Sequence, residues 1–248
     1  AASLAVVDRA RGLPGVRPVT VDTTPYADAG TSDARELAAG LATGVAYLRA
    51  LTDHGLSLSE ALGSLAFTLT ADADQFLTMA RFRAGRRLWA RVAEASGADP
   101  GDRAPRQHAL TSAVMLTRWD PWVNMLRSTV AVFAAGTGGA DSVTVRPFDS
   151  ALGRPDEFGR RTARNLQLVL LEESGLARVI DPAGGSWYVE DLTERLAVEA
   201  WERFRETEAD GGMAASLASG RLAEEARGRQ HTARCRAAIL RRAADHQP

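Results

Sequence analysis

The sequence predicts an α/β fold built on a parallel sheet, and two observations predict it. Four short strand-like segments, at residues 18–24, 65–70, 107–112 and 142–146, are each bounded by polar or Gly-rich stretches. Between them, over the first 175 residues, run longer segments whose apolar residues recur at helical spacing. Parallel neighbours need a long crossover, so strands regularly separated by helices form a parallel sheet. Four such units make half of a (β/α)8 barrel or a small doubly wound sheet, and periodicity alone fits both.

Each element has its own signal. The first helix after the opening strand begins with Asp33 and Glu36 at capping-box spacing, and Leu37, Leu41, Val45 and Leu48 then share one face. Ser57 and Glu60 repeat the capping pattern on a shorter helix before the second strand. Residues 72–94 read as one long helix, with Phe76, Met79, Leu88, Trp89 and Val92 as its apolar positions. Asp120 followed by Pro121 reads as an N-cap with proline at the first helical position, opening a helix that runs to Gly136. Trp119 and Trp122 are expected to pack at its start. Gly136-Thr137-Gly138-Gly139 precedes a strand, whereas a phosphate cradle follows one, so it reads as a loop. Residues 155–174 form another helix, with Gly175 placed as a left-handed stop. Beyond it, 176–190 read as an irregular loop or hairpin, and 191–243 as helix interrupted near Gly211-Gly212 and Gly220. The chain thus divides into βα units at 1–175 and a loop-and-helix extension at 176–248.

Composition narrows the function classes. A chain of 248 residues can bury roughly 70–75% of its unfolded surface, enough for a proper core. The net charge of −1 gives no global field toward nucleic acid or an anionic membrane. All 30 basic residues are arginine, which excludes mechanisms that need a Schiff-base or P-loop lysine. The Arg-rich stretch 221–242 also carries Glu224 and Glu225 and reads as a solvated helix. The single cysteine, Cys235, cannot make an internal disulfide, which fits a reducing compartment. No apolar run approaches the ~20 residues of a membrane span, and no signal-peptide pattern opens the chain, so a cytoplasmic location is expected. His54 and His231 fall on expected helix or loop surfaces, and no histidine pair has metal-ligand spacing.

An ordered set of motifs resembles one enzyme family. Arg164-Asn165-Leu166-Gln167, Glu173-Ser174-Gly175, Val179-Ile180-Asp181-Pro182 and Gly184-Gly185-Ser186-Trp187-Tyr188-Val189-Glu190 follow one another, and Glu208 to Met213 ends on Gly-Gly-Met. Upstream stand Thr117 to Asn124, Arg83-Ala84-Gly85-Arg86 and Asp28-Ala29-Gly30. Together they resemble the barrel domain of methylmalonyl-CoA mutases from about residue 18 to about residue 235. The resemblance implies the C-terminal half of a TIM-type (β/α)8 barrel through which acyl-CoA threads, facing adenosylcobalamin held by a separate domain. The cofactor supplies the radical chemistry and the protein positions and shields it. The family's cobalt-binding signature D-x-H-x-x-G is absent; Asp53-His54 and Asp245-His246 are adjacent pairs. The chain is therefore expected to bind no cobalamin by itself.

The departures from the family decide the expected role. The histidine that bonds the substrate thioester falls on Pro25, which has neither a side-chain donor nor a backbone N–H, and the neighbouring tyrosine falls on Thr24. A preorganised donor at a developing oxyanion is worth roughly 2.7–4 kcal/mol. The R-L-S segment that holds the CoA portion falls on Ser64-Leu65-Ala66, and the G-H-T-Q segment near the adenosyl group on Gly138-Gly139-Ala140-Asp141. His108 survives in the pocket region, as a residual contact to CoA or as a histidine simply hydrogen-bonded at the end of a strand. The resemblance implies a degenerate, non-catalytic subunit that supports an active mutase subunit in a heterodimer, with adenosylcobalamin bound in the complex. Two other readings stand beside it: an acyl-CoA enzyme rebuilt around His108 and Asp22, Asp28 and Asp141 converging at a barrel mouth, and a free-standing CoA-binding scaffold. A half-barrel is expected to leave two open edges and an apolar inner surface. Leu65, Phe67 and Leu69 alternate on one strand and need a partner, from the rest of the protein, another chain or a second copy. Helices after Glu190 are expected outside the barrel.

Overall fold

A computed structural model describes residues 2–11, 13–224 and 226–227. The readings of Glu225, His231, Cys235, His246 and the Arg-rich stretch beyond 227 lie outside these residues. One four-stranded parallel sheet runs in the order β1-β2-β3-β4, with β1 at Val19–Asp22, β2 at Leu65–Ala71, β3 at Arg106–Thr111 and β4 at Ser142–Thr144. Strands sequential in the chain are neighbours throughout. That is the order of half a (β/α)8 barrel; a doubly wound sheet reverses its order at a switch point. β1 and β4 are the open edges.

The helices are α1 (Ala2–Ala10), α2 (Thr24–Asp28), α3 (Asp33–Asp53), α4 (Leu58–Gly63), α5 (Gln75–Ala95), α6 (Val123–Thr137), α7 (Glu157–Leu168), α8 (Trp187–Ala209) and α9 (Gly212–Ala218). The short α1 carries no cap that its sequence would betray, yet it sets Val7 into the core. Ser57 and Glu60 form the full capping box of α4, with Glu60 Oε2 accepting the Ser57 N–H at 2.8 Å. The starts of α3, α5 and α6 differ from expectation. Ser32, not Asp33, caps α3, because Asp33 and Glu36 are turned toward Arg81. α5 opens at Gln75, where the Asp74 carboxylate accepts the Leu77 N–H at 3.1 Å. Asp120 is left-handed (φ 48°) and α6 begins at Val123 instead. There the buried Asn124 amide donates to Thr117 O at 2.8 Å and Phe148 O at 2.9 Å, holding the preceding loop outside the helix.

Packing follows the strand period of two. Val21, Leu65, Phe67, Leu69 and Ala109 are buried with apolar residues of α3 and α5 in one core cluster. The Phe67 and Trp89 rings lie 4.6 Å apart. The alternating face of β2 therefore finds its cover within the chain, not in a partner. Phe76, read as a core position, is exposed and meets Tyr188 edge-on at 5.2 Å. Trp122 stacks on Phe148 at 5.2 Å, while Trp119 is 85% exposed. At Gly44 a Cβ would stand 2.6 Å from the Trp89 ring, so glycine is what lets α3 pass α5 this closely. Alanine gains about 1 kcal/mol of helix propensity there, against about 1–3 kcal/mol for overpacking. Gly44→Ala is expected to be net destabilising in urea denaturation; an unchanged or raised midpoint would count against this packing.

After α7 the chain passes through one π turn, Val169–Glu173, and stops at Gly175 with φ 63°. Among the described residues 176–190 contain a 3-10 turn, Leu176–Arg178, and no hairpin. α8 starts earlier than expected and lies against α3 and α5, placing Leu196, Ala200 and Phe204 in the main core. The extension thus packs on the outer helical layer. Arg83 ties it down through Asp181 and through Glu190 at 2.7 Å.

Candidate functional site

The sheet face opposite the helices carries the pocket positions. Register aligns Asp22, Thr68, His108 and Ser142 in one row, one residue from each strand. Thr20, Ala66 and Arg106 form the next row toward the N-terminal ends, and Leu110 and Thr144 pair toward the C-terminal ends. Asp22, His108 and Ser142 all retain solvent contact, as do Thr20 and Thr144. The inner surface is therefore polar, not apolar as expected. Its burial pattern records the difference, since Thr, Asp, Ser and His alternate with the apolar residues that the helices cover.

His108 Nδ1 and Ser142 Oγ share a hydrogen bond of 2.8 Å between adjacent strands. Partial burial pushes the imidazole below its ordinary 6.5, and the Asp22 carboxylate in the same row opposes this. A base with a lowered folded pKa takes up its proton first in the unfolded chain, so this residue withdraws stability as pH falls through about 6.5. An NMR titration of His108 is expected to show a midpoint below 6.5; a midpoint above it would mean that Asp22 dominates.

The substituted positions fall at both ends of the sheet. Thr24 and Pro25 begin α2 just past the C-terminal end of β1. Asp22 Oδ1 accepts from Thr24 N–H at 3.0 Å and from its hydroxyl at 2.8 Å, which holds the turn, and Pro25 is exposed beside it. Ser64 caps α4 below β2 and donates to Glu60 O at 2.7 Å; Ala66 is the second residue of that strand. Asp141 precedes β4, accepting from Arg106 at 2.7 Å and from the Gln107 N–H at 2.8 Å. Asp22 closes β1 at one edge and the C-terminal end of the sheet, Asp28 closes α2 beyond it, and Asp141 precedes β4 at the other edge and the N-terminal end. The three aspartates do not converge, so the acid–base site built on them has no geometry.

Two features escaped the sequence. Thr68 and Ser142 join His108 and Asp22 only through register, although their place in the strand alternation is a visible signal. The other is a buried charge cluster at the C-terminal ends of β1 and β2. Arg81, 3% exposed, pairs with Asp33, with Asp72 at 3.1 Å and with Glu36 at 3.4 Å, and donates to Thr70 O. Glu36 Oε1 accepts the Thr23 hydroxyl at 2.6 Å and the Thr70 N–H at 2.9 Å. This clamp fixes the turn that presents Thr24 and Pro25. Arg81 carried no sequence signal that set it apart from the other arginines of α5.

Residues 8–242 match the family model described as methylmalonyl-CoA mutase. The chain belongs to the methylmalonyl-CoA mutase family. It is 63% identical over 207 residues to the methylmalonyl-CoA mutase small subunit of Streptomyces virginiae, covering 84% of this chain and 33% of that one. It is 50% identical over 209 residues to the small subunit of Propionibacterium freudenreichii subsp. shermanii, covering 84% and 33%. With the methylmalonyl-CoA mutase of Escherichia coli it shares 35% over 224 residues, covering 89% and 31%. The chain spans about a third of the length of the curated relatives it matches. The relatives it resembles at 50% identity or more include several named small subunits. Among the described residues no helix is long and apolar enough to cross a membrane. Nor do they group three metal-ligating side chains. Among the described histidines, His54 Nε2 meets Asp8 at 3.1 Å and His108 Nδ1 meets Ser142 Oγ at 2.8 Å.

Proposed function

We propose that this chain is the barrel-derived part of a non-catalytic small subunit of an adenosylcobalamin-dependent methylmalonyl-CoA mutase, supporting the assembly of an active partner. The observation that carries the reading is Pro25. It stands exposed at the mouth end of β1, where the family places its thioester-binding histidine, and it has no hydrogen to offer. The names of the relatives support the pairing with a catalytic subunit, and the open edges of β1 and β4 supply a physical reason for association. Adenosylcobalamin and the acyl-CoA undergoing rearrangement belong, in this reading, to the partner, and His108 retains at most a contact to CoA. Residues 1–175 serve as the βα units of the barrel domain and 176–248 as its extension, working in the cytoplasm.

Co-expression of this chain with a catalytic mutase subunit, followed by affinity capture and size exclusion, tests the proposal. A stable heterodimer is the expected result. Recovery of this chain only as a free species, or only with copies of itself, would overturn the assembly role.

A further inference from the structure

Away from the uncovered sheet face, a cavity of about 260 Å3 opens between α6, α7 and the chain leaving β4. Met125, Phe148, Leu166 and Val169 give it apolar walls, and Arg146 is the one charged residue among its described lining. One polar group in that lining is buried without a partner, and one cation keeps its donors open. Ser128 is 3% exposed, and its hydroxyl has no hydrogen-bond partner. Such a group costs about 1–3 kcal/mol when left unpaired, so something that fills the cavity can recover that cost. Arg146 is anchored by its backbone N–H on Thr111 Oγ1 at 2.7 Å and by its Nε on Thr111 O at 2.9 Å. That anchorage fixes the plane of the guanidinium, while among the described residues its two terminal nitrogens make no hydrogen bond or ion pair. A planar fork of this kind suits a carboxylate taken by two parallel hydrogen bonds.

We propose that this cavity binds a short-chain aliphatic carboxylate, with the carboxylate on Arg146, the chain against Phe148, Leu166 and Val169, and the Ser128 hydroxyl as a second polar contact. Size sets the class. At about 260 Å3 the cavity lies just below the roughly 300–1,000 Å3 of pockets for drug-sized ligands, so it has room for a small carboxylate. A single cation among apolar walls selects one negative charge and disfavours a dianion. The site does not depend on the proposed subunit role, since none of the substituted family positions lines it.

The test is isothermal titration of the chain with sodium butyrate, with sodium chloride and 1-butanol as controls for charge alone and chain alone. Butyrate is expected to bind at about 1 mM. Arg146→Gln is expected to weaken it about tenfold, the loss of a charge-assisted pair. Ala163→Phe, placed in the cavity wall, is expected to abolish binding. Because that change can also unfold α7, Arg146→Gln with an unchanged circular dichroism spectrum carries the decision. No heat of butyrate binding, equal affinity for butanol, or unaltered affinity in folded Arg146→Gln would each overturn the proposal.

Discussion

Arg81→Met is expected to cost about 3–5 kcal/mol of folding stability, the loss typical when one partner of a buried ion pair is removed. Methionine keeps the length and fills the space, so the loss isolates charge and hydrogen bonding from cavity formation. Arg81 faces Asp33, Glu36 and Asp72 and also donates to Thr70 O. Without it, the buried Glu36 carboxyl is left beside the partly exposed Asp33 and Asp72 with no cation among them. The effect also carries a pH signature. Burial pushes the Glu36 carboxyl up from 4.5 to about 7, although hydrogen bonds from Thr23 and Thr70 oppose this. An acid whose folded pKa is raised holds its proton more tightly in the native state. Its contribution to stability is thus greatest at acid pH and is lost as pH rises from 4.5 through about 7. In Arg81→Met that loss should steepen, because the nearby cation is gone. Urea denaturation at about pH 5 and about pH 7.5 should therefore show a larger deficit for the variant at the higher pH. A deficit below about 1 kcal/mol, the range of an ordinary surface change, would mean that the cluster is solvated.

Incubated with adenosylcobalamin and methylmalonyl-CoA, the purified chain is expected to give no isomerisation above a protein-free control. In the proposed reading Pro25 stands where the resemblance places the thioester donor, and one such donor is worth about 10²–10³ in rate. The second reason is independent: the D-x-H-x-x-G signature by which the resembled family binds cobalt does not occur in this sequence. Pro25→His is expected to leave the chain inactive as well, because Ser64, Ala66 and Asp141 still stand where the resemblance places substrate-binding and adenosyl-side residues. The position is exposed in the first turn of α2, where proline lacks only an N–H that the helix would leave unpaired, so the substitution should not disturb the fold. Substantial turnover by either protein, measured by coupled assay of succinyl-CoA, would show that the family positions were misplaced on this sequence.

Much of the chain was legible because local chemistry set it. Strand positions came within a few residues of their final bounds, since each strand is short and flanked by polar or Gly-rich sequence. The Ser57–Glu60 box and the left-handed Gly175 stop depend only on neighbours in the chain. Where local signals failed, a distant group had intervened. Asn124 bonds Thr117 and Phe148 across the loops and delays α6. Arg81 draws Asp33 and Glu36 away from the capping role their spacing suggested.

By itself the sequence determined the α/β alternation and the family, because residue identity and order are enough for each. Only the tertiary structure decided that the strands stand in barrel order, that α3 and α5 cover Leu65, Phe67 and Leu69, and that the surface left open is polar. It also decided that Asp22, Thr68, His108 and Ser142 share a row while Asp141 stays apart from Asp22. The physical reason is that alternation fixes only which residues of one strand share a face. Which side chains meet across strands depends on backbone hydrogen-bond register, and no spacing along the chain encodes it.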